Sequence, residues 1–241
     1  MADLEHVTED WQRALAVVAH PDDMEFGAAA AVARWTRQGK HVVYCLLTSG
    51  EAGIDGIPPA ETGPLREAEQ LESCRLVGVH DVEFLHQPDG VLQYGLHLRR
   101  LISEQVRRHR PDIVITNNVR DTWEGGGLNQ ADHVATGRAT LDAVRDAGNR
   151  WVFPEQLGDG REPWNGVRQV WLPGSPLAAH AVDVTTTMDD GVASLQAHRA
   201  YLDGLGWDTD VAGFLRESAR ATGERLGVPY ATGVEVLDLG W

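Results

Sequence analysis

A histidine and two aspartates directly follow an apolar run near the start of the chain. Residues 15–19 read Leu-Ala-Val-Val-Ala, and the run ends in His20-Pro21-Asp22-Asp23. Charged groups beside a buried strand are strongly disfavoured unless a partner neutralises them, and a divalent metal is a common partner for histidine with aspartate. These residue types in this order predict a metal site, and we expect the site to serve hydrolysis.

A second segment with similar side chains lies more than a hundred residues further along. Residues 130–133 read Gln-Ala-Asp-His at the predicted start of a helix. Catalytic zinc sites take about three protein ligands and keep one position for water, and His20, Asp23 and His133 would supply those ligands. Asp22 would then be free to take a proton from the water and return it to a leaving amine. We expect deacylation of an amide.

The elements that must position these segments alternate between strand and helix. Strands are predicted at residues 13–19, 41–48, 82–85, 113–116, 170–172 and 179–184, and helices at 26–37, 65–77, 96–108 and 131–147. Such alternation favours an α/β fold, a Rossmann-like doubly wound and mostly parallel sheet with helices on both faces. After residue 186 we expect a helix that ends near 205, and then a less regular, partly helical tail from about 206.

The order of the strands decides whether the two segments meet. In the common order 3-2-1-4-5, the strand at 13–19 lies beside the strand at 113–116, and ligands bind beyond the carboxyl ends of the strands. The loops that leave these two strands would share one crevice. The first loop carries the His-Pro-Asp-Asp segment and the second leads to His133, so one site is expected from two distant segments.

Length and composition are typical of a globular protein. The chain has 241 residues, 42% hydrophobic and 24% charged, so we expect one domain over residues 1–241. The formal charge is −15, with Lys40 the only lysine, which disfavours binding to nucleic acid or anionic membranes. Cys45 and Cys74 are predicted to be reduced core residues. No apolar run approaches the ~18 residues of a membrane span, and the first residues do not resemble a signal peptide, so we expect a cytoplasmic protein.

Several motifs resemble those of one enzyme family. Ala-His-Pro-Asp-Asp at 19–23, followed by Glu25 and Gly27, resembles the signature of the PIG-L/LmbE-like zinc-dependent deacetylases, which remove acetyl groups from N-acetylglucosamine conjugates. The resemblance covers roughly residues 13–200. Further matches are Thr-Ser-Gly-Glu-Ala-Gly at 48–53, Arg66 with Glu69, Pro-Asp-Gly at 88–90, and Asp132 with His133.

The resemblance implies roles for the matching residues. His20, Asp23 and His133 would be metal ligands, Asp22 the general base and Asp132 a further catalytic residue. Zn²⁺ is the implied cofactor, although the residues leave open another divalent ion. The implied partner is a small-molecule amino-sugar conjugate, and a homo-oligomer is compatible with the sequence.

Four residues are candidate contacts to the substrate, and each also has a structural interpretation. The candidates are Arg66, Asp89, Glu51 and Trp123. Arg66 could instead form an ion pair on its helix, and Asp89 could serve its Pro-Asp-Gly turn. The glycines of its loop already explain the segment around Glu51. Trp123 could stack on a sugar ring or pin its loop to the core.

Gln130 departs from the family pattern. The usual motif is His-x-Asp-His, whose first histidine helps to stabilise the oxyanion, and glutamine stands in its place here. A glutamine donates a neutral hydrogen bond but carries no positive charge and moves no proton. Gln130 is therefore predicted to act as a weaker donor, or to mark an altered reaction or a loss of activity.

Other functions stay open or are disfavoured on particular residues. An amidase that removes a larger acyl group would use the same metal and base, and a non-catalytic metal- or sugar-binding relative would keep the fold. A dinucleotide-binding enzyme needs Gly-x-Gly-x-x-Gly where this chain has His-Pro-Asp-Asp. Gly174-Ser175-Pro176 is not the Gly-x-Ser-x-Gly elbow of a serine hydrolase.

Overall fold

The strands of the chain join in one sheet. The computed structural model describes residues 3–158, 160–206 and 210–240, and all eight strands found there belong to this sheet. They are β1 (Glu5–His6), β2 (Arg13–Val18), β3 (His41–Leu46), β4 (Asp81–Phe84), β5 (Ile113–Thr116), β6 (Gln169–Pro173), β7 (His180–Asp183) and β8 (Ala231–Asp238). The order is β1-β7-β8-β6-β5-β2-β3-β4, and only the pairings of β8 are antiparallel. The predicted, mostly parallel sheet is confirmed.

Helices cover both faces of the sheet. They are α1 (Asp23–Gly27), α2 (Ala29–Arg37), α3 (Pro59–Leu76), α4 (Leu96–His109), α5 (Ala131–Gly148), α6 (Met188–Gln196), α7 (Arg199–Gly204) and α8 (Val211–Leu226). Residues of α2, α3, α6 and α8 join the core on one face, and residues of α4 and α5 join the core on the other. Within the described ranges, no helix is both long enough and apolar enough to cross a membrane.

The side chains of β2 alternate between the two cores. Ala14, Ala16 and Val18 belong to the cluster under α2, whereas Leu15 and Val17 belong to the cluster under α4 and α5. A strand covered on both faces has no solvent side, which explains why its sequence is a continuous apolar run. The strand that carries the His-Pro-Asp-Asp segment is therefore rigidly placed inside the sheet.

The two strands that lead into the site are neighbours in the sheet, as predicted. β2 pairs in parallel with β5, from Ala14 opposite Ile113 to Val17 opposite Thr116. Parallel neighbours end at the same edge of the sheet, so the residues after Val18 and after Thr116 emerge side by side. This edge is where the site forms.

Three segments differ from the prediction. The helix expected at 26–37 is divided into α1 and α2, which meet at Ala28. α3 begins at Pro59 and not at residue 65, because proline is well suited to the first position of a helix. The partly helical tail expected from about 206 contains α8, but it also contains a strand that was not predicted, β8, which lies between β6 and β7. Both cysteines are free and buried, as predicted.

Candidate metal centre

The three predicted metal ligands meet at the carboxyl ends of β2 and β5. His133 Nε2 lies 3.0 Å from Asp23 Oδ1 and 3.2 Å from His20 Nδ1. His20 Nδ1 lies 3.7 Å from Asp23 Oδ1. Ligand atoms bonded at about 2.0–2.1 Å to one tetrahedral ion are about 3.3–3.4 Å apart. The three donor atoms are spaced as a single metal ion requires, and imidazole and carboxylate are donors that divalent metal ions bind.

The turn that carries two of these ligands has a strained backbone. Asp22, the residue before α1, has a φ of 89°, a left-handed value that is uncommon outside glycine. Such a conformation costs roughly 1–3 kcal/mol and persists only where the surroundings hold it. The Asp22 N–H donates to Gln70 Oε1 (3.0 Å), and Arg66 Nη2 donates to the carbonyl of Pro21 (2.7 Å). Two side chains of α3 thus fix the turn.

A second layer of carboxylates orients His20. Its Nε2 lies 3.0 Å from Asp89 Oδ1 and 3.4 Å from Asp132 Oδ2. The Asp132 carboxylate also accepts backbone hydrogen bonds from Gly90 (2.8 Å) and Leu92 (3.0 Å). Metal-bound histidines commonly donate their other ring N–H to a carboxylate. Asp89 and Asp132 therefore stand behind the ligand, while their predicted roles in substrate binding and catalysis stay predictions.

Two asparagines that the sequence analysis did not single out support the other ligands. Asn129 Oδ1 lies 3.1 Å from His133 Nδ1. Asn117 Nδ2 donates to Asp23 Oδ2 (3.0 Å), which also accepts the N–H of His20 (2.8 Å). Asn117 is a polar residue directly after the buried strand β5. A polar residue just after a buried strand is also the signal that identifies His20 after β2, so the same signal could have identified Asn117.

The electrostatics of the cluster favour a cation. Burial lowers the pKa of His20, but hydrogen bonds with Asp132, Asp23 and Asp89 outweigh it and hold this pKa well above the usual range. Burial likewise opposes ionisation of Asp23, and His133 nevertheless keeps the pKa of Asp23 well below its usual range. Three carboxylates around two imidazoles leave a surplus of negative charge in a buried place, which a divalent ion would neutralise.

Asp22 is buried beside the ligands and contacts Arg66. Burial raises the pKa of Asp22 to about 7, against the opposing charge of Arg66. Arg66 Nη2 donates to Asp22 Oδ2 (3.1 Å), and the guanidinium lies 4.0 Å from the ring centre of Tyr201. Arg66 is only 2% exposed, so its present contacts are with protein, and its predicted contact with substrate stays a prediction. Tyr201 of α7 lies outside every sequence motif and was not among the predicted site residues.

The remaining predicted residues lie around the same crevice. Glu51 Oε1 accepts the backbone N–H of Asp89 (2.9 Å). The ring of Trp123 meets the ring of His133 edge-on, with centres 5.4 Å apart, and packs close to Gly174. Gln130 is exposed and directly precedes α5.

One cavity of about 1040 Å³ connects most of these residues. Eight of the ten predicted site residues line it, namely His20, Asp22, Asp23, Arg66, Asp89, Trp123, Gln130 and His133. Glu51 and Asp132 are not in the wall and contact Asp89 or its turn from behind. The ten residues predicted from sequence therefore lie around one cavity, eight in its wall and two behind the wall.

A mostly parallel sheet with a His/Asp cluster at its carboxyl edge is the architecture of a candidate metal-dependent enzyme. A family model described as PIG-L, GlcNAc-PI de-N-acetylase, matches residues 15–144, just over half of the chain. The chain belongs to this family of deacetylases, which hydrolyse amide bonds. The matched range includes all ten predicted site residues and ends within α5.

Individual relatives agree with this assignment. The diacetylchitobiose deacetylase of Thermococcus kodakarensis is 27% identical over 227 residues, which is 93% of this chain and 83% of that protein. A 1D-myo-inositol 2-acetamido-2-deoxy-alpha-D-glucopyranoside deacetylase of Kineococcus radiotolerans is 32% identical over 178 residues, 60% of this chain and 47% of that protein. The solved structure of N,N'-diacetylchitobiose deacetylase from Pyrococcus horikoshii matches with a TM-score of 0.85 and 25% identity, covering 95% of this chain and 85% of that one.

Proposed function

We propose that this protein is a zinc-dependent deacetylase that removes the acetyl group from an N-acetylglucosamine-type sugar or glycosylated small metabolite. The convergence of His20, Asp23 and His133 in the wall of a cavity that Asp22 also lines is the observation that carries the proposal. The relatives named above, whose own substrates are acetamido sugars, support the substrate class.

The ligand set fits the implied metal. His20, Asp23 and His133 would hold the ion, and Asp89, Asn117 and Asn129 would keep the ligands oriented through their second atoms. When bound, zinc supplies Lewis acidity, which lowers the pKa of water towards neutrality and polarises a carbonyl group. We choose zinc because of the two imidazoles and one carboxylate in the set, and another divalent ion is the alternative.

Asp22 moves the proton in the proposed reaction. It is adjacent in sequence to the ligand Asp23, and its carboxylate is held by Arg66 on one oxygen. In this place it accepts the proton of the attacking water and returns the proton to the nitrogen of the leaving amine. The hydrogen bond from the Asp22 N–H to Gln70 fixes the backbone of Asp22, and thereby the direction of its carboxyl group.

Gln130 and Trp123 shape the space where the amide binds. Gln130, at the start of α5, offers an amide N–H to the oxygen that gains charge, a neutral donor in place of a histidine. Trp123 packs on His133 and Gly174, so it stiffens the loop and presents part of its ring to the cavity. A sugar ring would be held between this aromatic wall and the turn of Asp89.

The proposal is tested by release of primary amine from a panel of N-acetylglucosamine conjugates. Turnover should disappear after chelation and return when zinc is added. The variant Asp22→Asn keeps its backbone contact with Gln70, and we expect it to bind zinc with the same stoichiometry while kcat falls by about 10²–10⁴-fold. A protein that holds stoichiometric zinc and releases no amine from any conjugate would contradict the proposal and favour a non-catalytic relative.

A further inference from the structure

The cavity extends beyond the metal centre along the edge of the sheet. It is lined at one end by His20 and Asp23 and at the other by residues 231–233 of β8. β2, β5, β6 and β8 follow one another in the sheet, and neighbouring strands are about 4.8 Å apart, so the two ends are separated by roughly 14 Å. A single acetamido sugar bound at the metal would not reach the far end, so the cavity of about 1040 Å³ has room there for a further group of the same molecule.

The far end, which we call the apolar chamber, lies between α1, α6, α8 and β8. Its apolar or small lining residues are Phe26, Met188, Leu215, Ala219, Ala231 and Gly233. Met188 and Leu215 are buried parts of the core. Ser218, Thr222 and Thr232 are its uncharged polar residues. The charged residues of this end, Arg225 and Glu124, form an ion pair with each other (2.7 Å).

We propose that the apolar chamber binds an uncharged alkyl or aryl group of the substrate, so that the substrate is an amphipathic amino-sugar conjugate. The inference rests on the proposed function, because it assumes that the amide of the same molecule lies at the metal centre. The chamber and the metal centre belong to one cavity. The group that fills the chamber is therefore part of the substrate molecule. Each methylene buried there contributes up to about fourfold in affinity, and the polar sugar remains at the carboxylate-rich end.

The apolar group can be attached to the sugar in two ways. It is either the aglycone at the anomeric carbon, with the acetyl group unchanged, or a longer acyl chain on the nitrogen. Both share the chemistry that the chamber recognises, and two substrate series separate them. One series comprises methyl, hexyl and octyl glycosides of N-acetylglucosamine. The other comprises N-acetyl, N-hexanoyl and N-octanoyl forms of methyl glucosaminide.

The measurement is kcat/KM for amine release by the zinc-loaded full chain, with every compound below its micellar concentration. We expect kcat/KM to rise about 50-fold or more from the shortest to the longest member of one series. Flat or falling values in both series, with the methyl N-acetyl compound hydrolysed, would overturn the inference and leave the proposed function standing.

A binding measurement tests the chamber even if the protein hydrolyses none of these compounds. Calorimetric titration compares the octyl with the methyl glycoside on zinc-loaded protein, independently of hydrolysis. Tighter binding of the octyl compound by about 50-fold supports the chamber even if the deacetylase proposal fails. Equal affinity overturns the inference.

A variant of α8 tests the location of the chamber. Ala219→Phe places a ring in the chamber and should reduce the octyl-to-methyl ratio of kcat/KM to about one. Glu217→Phe is the matched control, because Glu217 lies exposed on the same helix and outside the cavity wall, and it should keep the ratio. If Ala219→Phe does not fold, Ala219→Leu makes a smaller change and should lower the ratio in the same direction. An unchanged ratio in a folded Ala219 variant contradicts the location.

Discussion

Among single residues, Gln130 has the most direct consequence for chemistry. It stands exposed at the start of α5, in the wall of the cavity that also holds His133. A neutral amide donor stabilises a developing oxyanion less than a protonated imidazole does, because it carries no charge. The hydrogen-bond donor to the oxyanion can therefore be removed or strengthened by substitution of Gln130.

Gln130→Ala should lower kcat by about 10–100-fold with little change in KM, because one oxyanion donor is lost. Gln130→His should raise kcat, since it supplies a charged donor. Steady-state kinetics on the substrate with the highest turnover measures both variants. Gln93→Ala, an exposed glutamine outside this cavity, should behave as the unchanged protein. Wild-type kcat in both Gln130 variants would remove this residue from the oxyanion site.

The candidate metal ligands could be predicted from residue type and position, whereas the roles of supporting residues such as Asn117 and Tyr201 could not. His20 and Asp23 follow an apolar strand, where charge needs a partner, so their types and place are informative. Asn117 and Tyr201 are ordinary polar and aromatic residues in sequence. Their functions depend on the distances that folding creates, such as the 4.0 Å between the Tyr201 ring and the Arg66 guanidinium.

At the level of elements, α3 supports the strained turn between β2 and α1. Gln70 accepts the Asp22 N–H and donates to Glu25 Oε1 (2.8 Å). Arg66, one turn earlier on the same helix, holds the Pro21 carbonyl and the Asp22 carboxylate. A left-handed aspartate persists only with such contacts. α3 is thus a positioning element for Asp22, the residue proposed to transfer the proton.

Gln70→Leu should lower kcat by about tenfold or more while zinc content and KM stay close to wild type. The side chain keeps its volume, but the Asp22 N–H and the Glu25 carboxyl lose a buried partner, which also costs about 1–3 kcal/mol of unfolding free energy. Kinetics, metal analysis and denaturant unfolding measure these effects. Gln105→Leu, at a buried glutamine of α4, is the control. An equal fall of kcat in both variants would show a general loss of stability and no positioning by Gln70.

The regular βα repeats could be predicted from hydrophobic pattern, whereas the last strand, β8, could not. β2 and β5 are continuous apolar runs, which is the pattern of strands covered on both faces. β8 reads Ala-Thr-Gly-Val-Glu-Val-Leu-Asp, with a glycine inside it and no continuous apolar run. The helical part of the tail, α8, is consistent with the expected partly helical segment. The place of β8 between β6 and β7 depends on long-range pairing that local sequence does not encode.

For the whole molecule, a buried histidine makes the unfolding free energy depend on pH. His198, between α6 and α7, is fully buried, and burial together with the charge of Arg66 lowers its pKa to about 3. Its Nε2 lies 3.8 Å from Glu25 Oε2, and burial raises the pKa of Glu25. The unfolded chain binds a proton on this histidine near pH 6.5. The contribution of neutral His198 to the unfolding free energy is therefore fully present above pH 6.5, and it is lost as the pH falls towards 3.

His198→Gln should remove this dependence. Between pH 7 and pH 5 the unfolding free energy of the wild type should fall by about 2 kcal/mol more than that of the variant, because only the wild type gains a proton on residue 198 when it unfolds. Glu25 opposes the trend, since a raised carboxyl pKa favours the folded state as the pH falls, and it is present in both proteins. Denaturant unfolding at both pH values measures the difference. As a control, His80→Gln, at an exposed histidine, should keep the wild-type dependence of unfolding free energy on pH. If the unfolding free energies of wild type and His198→Gln change in parallel with pH, His198 is protonated within the folded protein and the prediction is wrong.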